Sequence, residues 1–121
     1  MSTGARRWTV HLTAAAESDF EDILRWTVDQ FGTARARIYA DTLSAALDDL
    51  TAGPTVAGAK KRNDILTGQF TLHVARRGRK GSHFVLFRAG NGPNHDVIDI
   101  LRLIHDARDL QLHLPPAEEG T

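Results

Sequence analysis

Residues 14–53 read AAAESDFEDILRWTVDQFGTARARIYADTLSAALDDLTAG, and their periodicity decides the fold. Ala16, Phe20, Ile23, Leu24, Thr27 and Phe31 recur at helical spacing on one stripe, which predicts a first helix from Ala14 to Phe31. Thr13 is placed to cap it, Glu17 and Asp19 favour its early turns, and Gly32 stops it. Thr33 then caps a second helix over about Ala34 to Ala52, with Tyr39, Leu43, Ala46, Leu47 and Leu50 on its apolar face. Gly53-Pro54 ends it, because glycine suits a left-handed cap and proline cannot continue a helix. So short a break forces the two helices back on each other as an antiparallel hairpin. Trp26 projects about 120° from the first stripe, as a hinge against the rest of the domain or as a partner contact.

On the N-terminal side, residues 7–12 alternate polar and apolar. Trp8, Val10 and Leu12 would share one face of a short strand, which must join a sheet at its edge. On the C-terminal side, residues 54–69 read as a loop, with a short extended piece at Asp64-Ile65-Leu66. Three strands follow. Phe70 to Ala75 places Phe70, Leu72 and Val74 on one face. His83 to Arg88 is apolar on both faces and therefore central, and Asp96 to Ile104 is nearly continuous apolar sequence. The turns between them, Arg77 to Gly81 and Gly90 to Asn94, are rich in glycine or asparagine, as hairpins need. Residues 106–113 are expected to make a short last helix, and Pro115 to Thr121 a polar tail.

The expected architecture is an α+β two-layer sandwich: strand, helix hairpin, three-stranded antiparallel meander, short C-terminal helix. A chain of 121 residues makes one such domain, over 1–114, with the tail at 115–121. No apolar run approaches the roughly 18 residues of a membrane span. Met1 to Arg7 lacks an apolar signal core, so a cytoplasmic location is expected. The absence of cysteine excludes disulfides, thiolate zinc sites and cysteine nucleophiles.

The net charge is zero, but unevenly distributed. Residues 13–53 carry three arginines against eight acids, and residues 60–88 carry eight cations against Asp64 alone. Two different faces are expected, or two solvated surfaces of opposite sign. The richest segment, Arg76, Arg77, Arg79 and Lys80 with Gly78 and Gly81, sits at a hairpin tip where arginines suit phosphate contacts. Base-stacking aromatics are missing beside it, which weakens a sequence-reading role. None of the six histidines shows helical metal spacing, and a cluster of His73, His83 and His105 across strands is disfavoured against ordinary backbone bonding. Acid–base work by His83 or His105 beside Arg88 or Arg102 is the enzymatic alternative. There is no nucleophile elbow, P-loop or dinucleotide fingerprint.

Three stretches resemble the ParE/RelE superfamily of toxins from type II toxin–antitoxin modules, most of all the ParE type. They are Ala16-x-x-Asp19-Phe20-x-x-Ile23 with Phe31-Gly32 and Ala36-x-x-Tyr39-x-x-x-Leu43; Gly81 to Arg88; and Leu101 to His105 with Arg108-Asp109 and His113-Leu114. The order and spacing of these motifs span roughly residues 8–114. The resemblance implies a small cytoplasmic toxin without cofactor or metal, neutralised by a ParD-like antitoxin of the ribbon-helix-helix DNA-binding type. ParE-branch members act on DNA gyrase and block replication; RelE-branch members cleave mRNA in the ribosome. Here the only tyrosine is Tyr39 and Phe87 stands where the family often has tyrosine, which favours a gyrase-binding poison over a nuclease, whereas the long basic tip Arg76 to Lys80 and Arg108 in place of the usual methionine depart from the ParE pattern. On this reading Phe20, Leu24, Trp26, Phe31, Tyr39 and Leu43 meet the antitoxin. Arg76, Arg77, Arg79, Lys80, His83 and Arg88 meet the target. In the nuclease alternative, Arg76, Arg88, Arg102 and His105 carry catalysis. A degenerate toxin that only binds its antitoxin is the third reading.

Overall fold

The computed structural model describes residues 7–62, 68–90 and 96–107. Strand β1 (Thr9–Leu12) leads into helices α1 (Ala14–Phe31) and α2 (Thr33–Asp49) and a 3-10 turn at Leu50–Ala52. Strands β2 (Lys60–Lys61), β3 (Gln69–His73), β4 (His83–Ala89) and β5 (Val97–His105) follow. They form one mixed sheet in the order β1-β5-β4-β3-β2. β1 runs parallel to β5, and every other pairing is antiparallel. The meander is present, β1 lies at an edge, and β4 is central. The expected extension at 64–66, the body of the Gly90–Asn94 turn, the last helix and the tail lie outside the described residues.

Thr13 caps α1, its hydroxyl accepting from the Ala16 N–H at 3.2 Å and donating to the Ile100 carbonyl at 2.9 Å. One side chain thus starts the helix and pins it to β5. Gly32 ends α1 at φ +92°, where its N–H reaches the Val28 carbonyl at 2.9 Å. The second helix departs from expectation at both ends. Gly32, not Thr33, occupies the cap position, and no side chain caps α2. With a single residue between the helices, Thr33 is already helical. At the far end the α-helix stops at Asp49 and tightens into the 3-10 turn, which Gly53 closes at φ +112°. A Cβ on Gly53 would lie 3.0 Å from Trp8 Nε1, so a glycine also lets β1 approach.

Both helices bury their stripes on one sheet face. Ala16, Leu43, Ala46 and Leu50 meet Leu72, Val74, Val85, Phe87, Ile98, Ile100 and Leu103 there. Leu86 and Ile104, with Phe84 and Leu101, form a second apolar cluster, which accounts for the apolar sequence of β4 on both faces. β5 carries one extra residue: Leu86 pairs with Arg102 but Phe87 with Ile100, leaving Leu101 as a bulge. The stripe of α1 fails at its last member. Phe31 is 60% exposed, because α1 ends there beyond the reach of the sheet. The loop reading at residues 60–61 also needs correction: Lys60 and Lys61 pair with Thr71 and Phe70 as an edge strand. Lysines on an edge hinder further strand addition. No helix among the described residues is long and apolar enough to cross a membrane.

Candidate functional site

The connected end of the helical hairpin, around Gly32, and the β3–β4 turn face each other across a groove of about 1210 Å³. Its apolar side comes from α1 and α2. Trp26 is 57% exposed and Ile38 62%, and Trp26 meets Phe31 edge to face at 5.8 Å. The Arg35 guanidinium, on the first turn of α2 across the Gly32 break, lies 6.0 Å above the Phe31 ring. The opposite wall is Gly78 to His83. Arg77 at φ +54° and Gly78 at φ +81° set the turn that directs Arg79 and Lys80 to this wall. Gly81 permits the close pass: a Cβ there would stand 2.4 Å from Val74 Cγ2 and 3.1 Å from the Tyr39 ring.

At the floor, Tyr39 on α2 meets His83 on β4. The phenol oxygen accepts the Ser82 N–H at 3.0 Å and lies 2.7 Å from His83 Nδ1. A phenol that donates here leaves Nδ1 the acceptor and puts the proton of the neutral imidazole on Nε2. Burial pushes the His83 pKa down to about 4, and neighbouring His105 lowers it further. Burial likewise raises the Tyr39 pKa. His105 stands edge to face with His83 at 5.1 Å, and its Nδ1 accepts the Ala107 N–H at 3.0 Å. His73 Nδ1 accepts from the Ala75 N–H, so its Nε2–H points to Asp106 at 2.9 Å. That hydrogen bond holds the Asp106 carboxyl below its ordinary value. Each of the three imidazoles thus has its Nδ1 engaged by a hydrogen bond.

The basic residues of the sequence separate into different roles. Arg76 is a strut: it donates to Asp49 on α2 at 2.9 Å and to the Ala57 carbonyl at 2.7 Å. Arg77 approaches the same carboxylate at 3.6 Å. Arg102 grips Asp19 with two bonds of 2.7 and 2.9 Å, while Asp19 also accepts the Leu103 N–H. That carboxylate closes the β5 edge where β1 has ended. Arg88 lies 3.7 Å from Asp99, beside the register position six residues from His105, about 20 Å along the sheet. The alternative catalytic set of Arg76, Arg88, Arg102 and His105 is therefore not gathered, because two members are locked in ion pairs and one stands at the far end of the strands.

Of the six residues expected at an antitoxin surface, Trp26, Phe31 and Tyr39 line the groove. Phe20 and Leu24 are half-buried against the core, and Leu43 is wholly buried. Leu43 holds α2 on the sheet and is not open to a partner. Of the expected target residues, Arg79, Lys80 and His83 line the same groove, whereas Arg76, Arg77 and Arg88 do not. The two expected faces thus share one depression. Ile38 and Arg35 belong to it and were not anticipated. An isoleucine off the α2 stripe, like Trp26 off the α1 stripe, is the sequence signal that marks them.

A family model described as the ParE toxin of the type II toxin–antitoxin system parDE matches residues 10–110. The fold is similar to a chain of the chromosomal ParDE toxin–antitoxin system from P. aeruginosa, with a TM-score of 0.64 at 19% identity, covering 82% of this chain and 96% of that one. It is also similar to a chain of the RelBE2 toxin–antitoxin complex from Mycobacterium tuberculosis, with a TM-score of 0.54 at 25% identity, covering 82% and 98%. No curated protein matches the sequence.

Proposed function

The chain belongs to the ParE toxin family of type II toxin–antitoxin systems, and from that premise we propose that it is a binding poison of DNA gyrase, held inactive by a ParD-like antitoxin. The observation that carries this reading is the groove, where exposed Trp26, Phe31 and Ile38 face Arg79, Lys80 and His83. Large apolar side chains in a depression this size suit a polypeptide segment, since small-molecule sites are typically about 300–1,000 Å³. The similar chains from P. aeruginosa and M. tuberculosis come from toxin–antitoxin systems, which supports an antitoxin as the occupant. An antitoxin segment on the helices also covers Arg79 and Lys80, so neutralisation and target binding compete for one surface. The dispersal of Arg76, Arg88, Arg102 and His105 favours binding over phosphodiester cleavage.

Expression of the chain with and without the product of the reading frame beside it tests the module. The expected result is growth arrest relieved by that product and a co-purifying complex that Trp26→Ala weakens. A chain that forms no stable complex with any adjacent small protein contradicts the proposal.

A further inference from the structure

Arg79 is the cation of the groove that carries a buried, unpaired donor among the described residues. Its Nη1 has less than 1 Å² of accessible surface and no hydrogen-bond partner, a condition it shares only with Gln69 Oε1 among the described side chains. A buried guanidinium donor left unpaired is costly, whereas a carboxylate can take two of its parallel N–H bonds. The neighbouring arginines are satisfied: Arg76 by Asp49 and Ala57, Arg102 by Asp19. Among the described residues nothing equivalent lies beside Arg79. Asp22 lines the groove, but its carboxylate is 3.2 Å from Arg25. Lys80 and Arg35 bring further positive charge to the same walls. The groove is therefore apolar on its helical side and electropositive on its turn side.

We propose that Arg79 is the charge anchor of this groove, receiving a carboxylate from an acidic amphipathic segment of a partner protein whose apolar side chains cover Trp26, Phe31 and Ile38. The occupant is specified by complementarity on both walls. Apolar residues at helical spacing meet the α1–α2 side, and an aspartate or glutamate on the flank reaches across to Arg79. Lys80 and Arg35 add attraction at longer range and speed encounter more than they hold the complex. The guanidinium turns about its own side-chain bonds to pair, and the turn backbone, fixed by the Arg79 N–H to the Arg76 carbonyl at 3.0 Å, stays in place. The inference rests on the reading of the groove as the antitoxin-docking surface and adds the chemistry of its specificity.

The test uses the whole chain as bait for displayed random peptides long enough for about four helical turns. Selected peptides are expected to pair apolar residues at i, i+3 or i+4 with at least one acid, and to shift the NMR signal of the Trp26 indole. Arg79→Gln should weaken them by about tenfold or more, and Arg79→Lys by less, because lysine keeps the charge but not the fork. Twins with the acid replaced by glutamine should bind weakly and equally to both forms of the protein. Peptides that shift Trp26 without an acid preference, and bind Arg79→Gln undiminished, would overturn the anchor while leaving the docking surface standing. Peptides that never perturb Trp26 would overturn both.

Discussion

The phenol oxygen of Tyr39 on α2 stands 2.7 Å from Nδ1 of His83 on β4, and this bond ties the helical hairpin to the sheet at the floor of the groove. The same oxygen satisfies the Ser82 N–H. Tyr39→Phe therefore removes two hydrogen bonds and strands a backbone donor. The expected loss is about 1–3 kcal/mol in urea unfolding. Nitrogen-detected NMR of His83 should show the Nε2–H tautomer in the parent chain.

The depressed His83 pKa has a defined sign. The unfolded chain takes up a proton near 6.5, while the folded chain takes it up near 4. Stability from neutral His83 is complete above 6.5 and drains away as pH falls toward 4. A decline of about 1–2 kcal/mol is expected across that window, reduced for the partial exposure of the ring. His83→Gln should flatten it. Asp106, held down by His73, acts at lower pH: its contribution is present above 3.8 and lost beneath that value. Urea midpoints measured from pH 7 down to about pH 2 check both contributions.

Asp19 and Arg102 predict a structural rather than catalytic phenotype. Arg102 is 36% exposed and Asp19 only 14%, and the Asp19 carboxylate also holds the Leu103 N–H. Asp19→Ala should cost about 2–4 kcal/mol, and Arg102→Ala less, since solvent reaches the arginine. A double-mutant cycle should give a coupling energy of about 1 kcal/mol or more.

Two glycines of the β3–β4 turn should separate steric from conformational demands. Gly81→Ala drives a Cβ to 2.4 Å from Val74 and should destabilise by about 1–3 kcal/mol. Gly78→Ala meets nothing within 4 Å but sits at φ +81°, so about 1 kcal/mol of backbone strain is expected. Thermal unfolding of the two variants gives the ranking.

What the sequence made legible were features with local causes. The bounds of α1 follow from Thr13 and Gly32, and the central place of β4 follows from its two apolar faces. The bulge at Leu101 and strand β2 were illegible, because pairing across the sheet defines both. The two lysines of β2 have no strand propensity to announce them. The same holds for the site. Trp26 stood out because it lies off a helical stripe. Tyr39 and His83 are 44 residues apart, and Arg76 and Asp49 are 27 apart, so neither pairing leaves a mark in the sequence. The charge split of residues 13–53 against 60–88 suggested two faces. Folding ties Asp49 to Arg76 and places Arg79 and Lys80 opposite the helices, so what remains is one groove of mixed character.

Supercoiling by purified gyrase in the presence of the chain decides whether gyrase is its target. Dose-dependent inhibition by the chain is expected, weakened by replacing Arg79 and Lys80 with glutamine, while cellular mRNA stays intact. Undisturbed supercoiling together with ribosome-dependent mRNA cleavage would contradict that target.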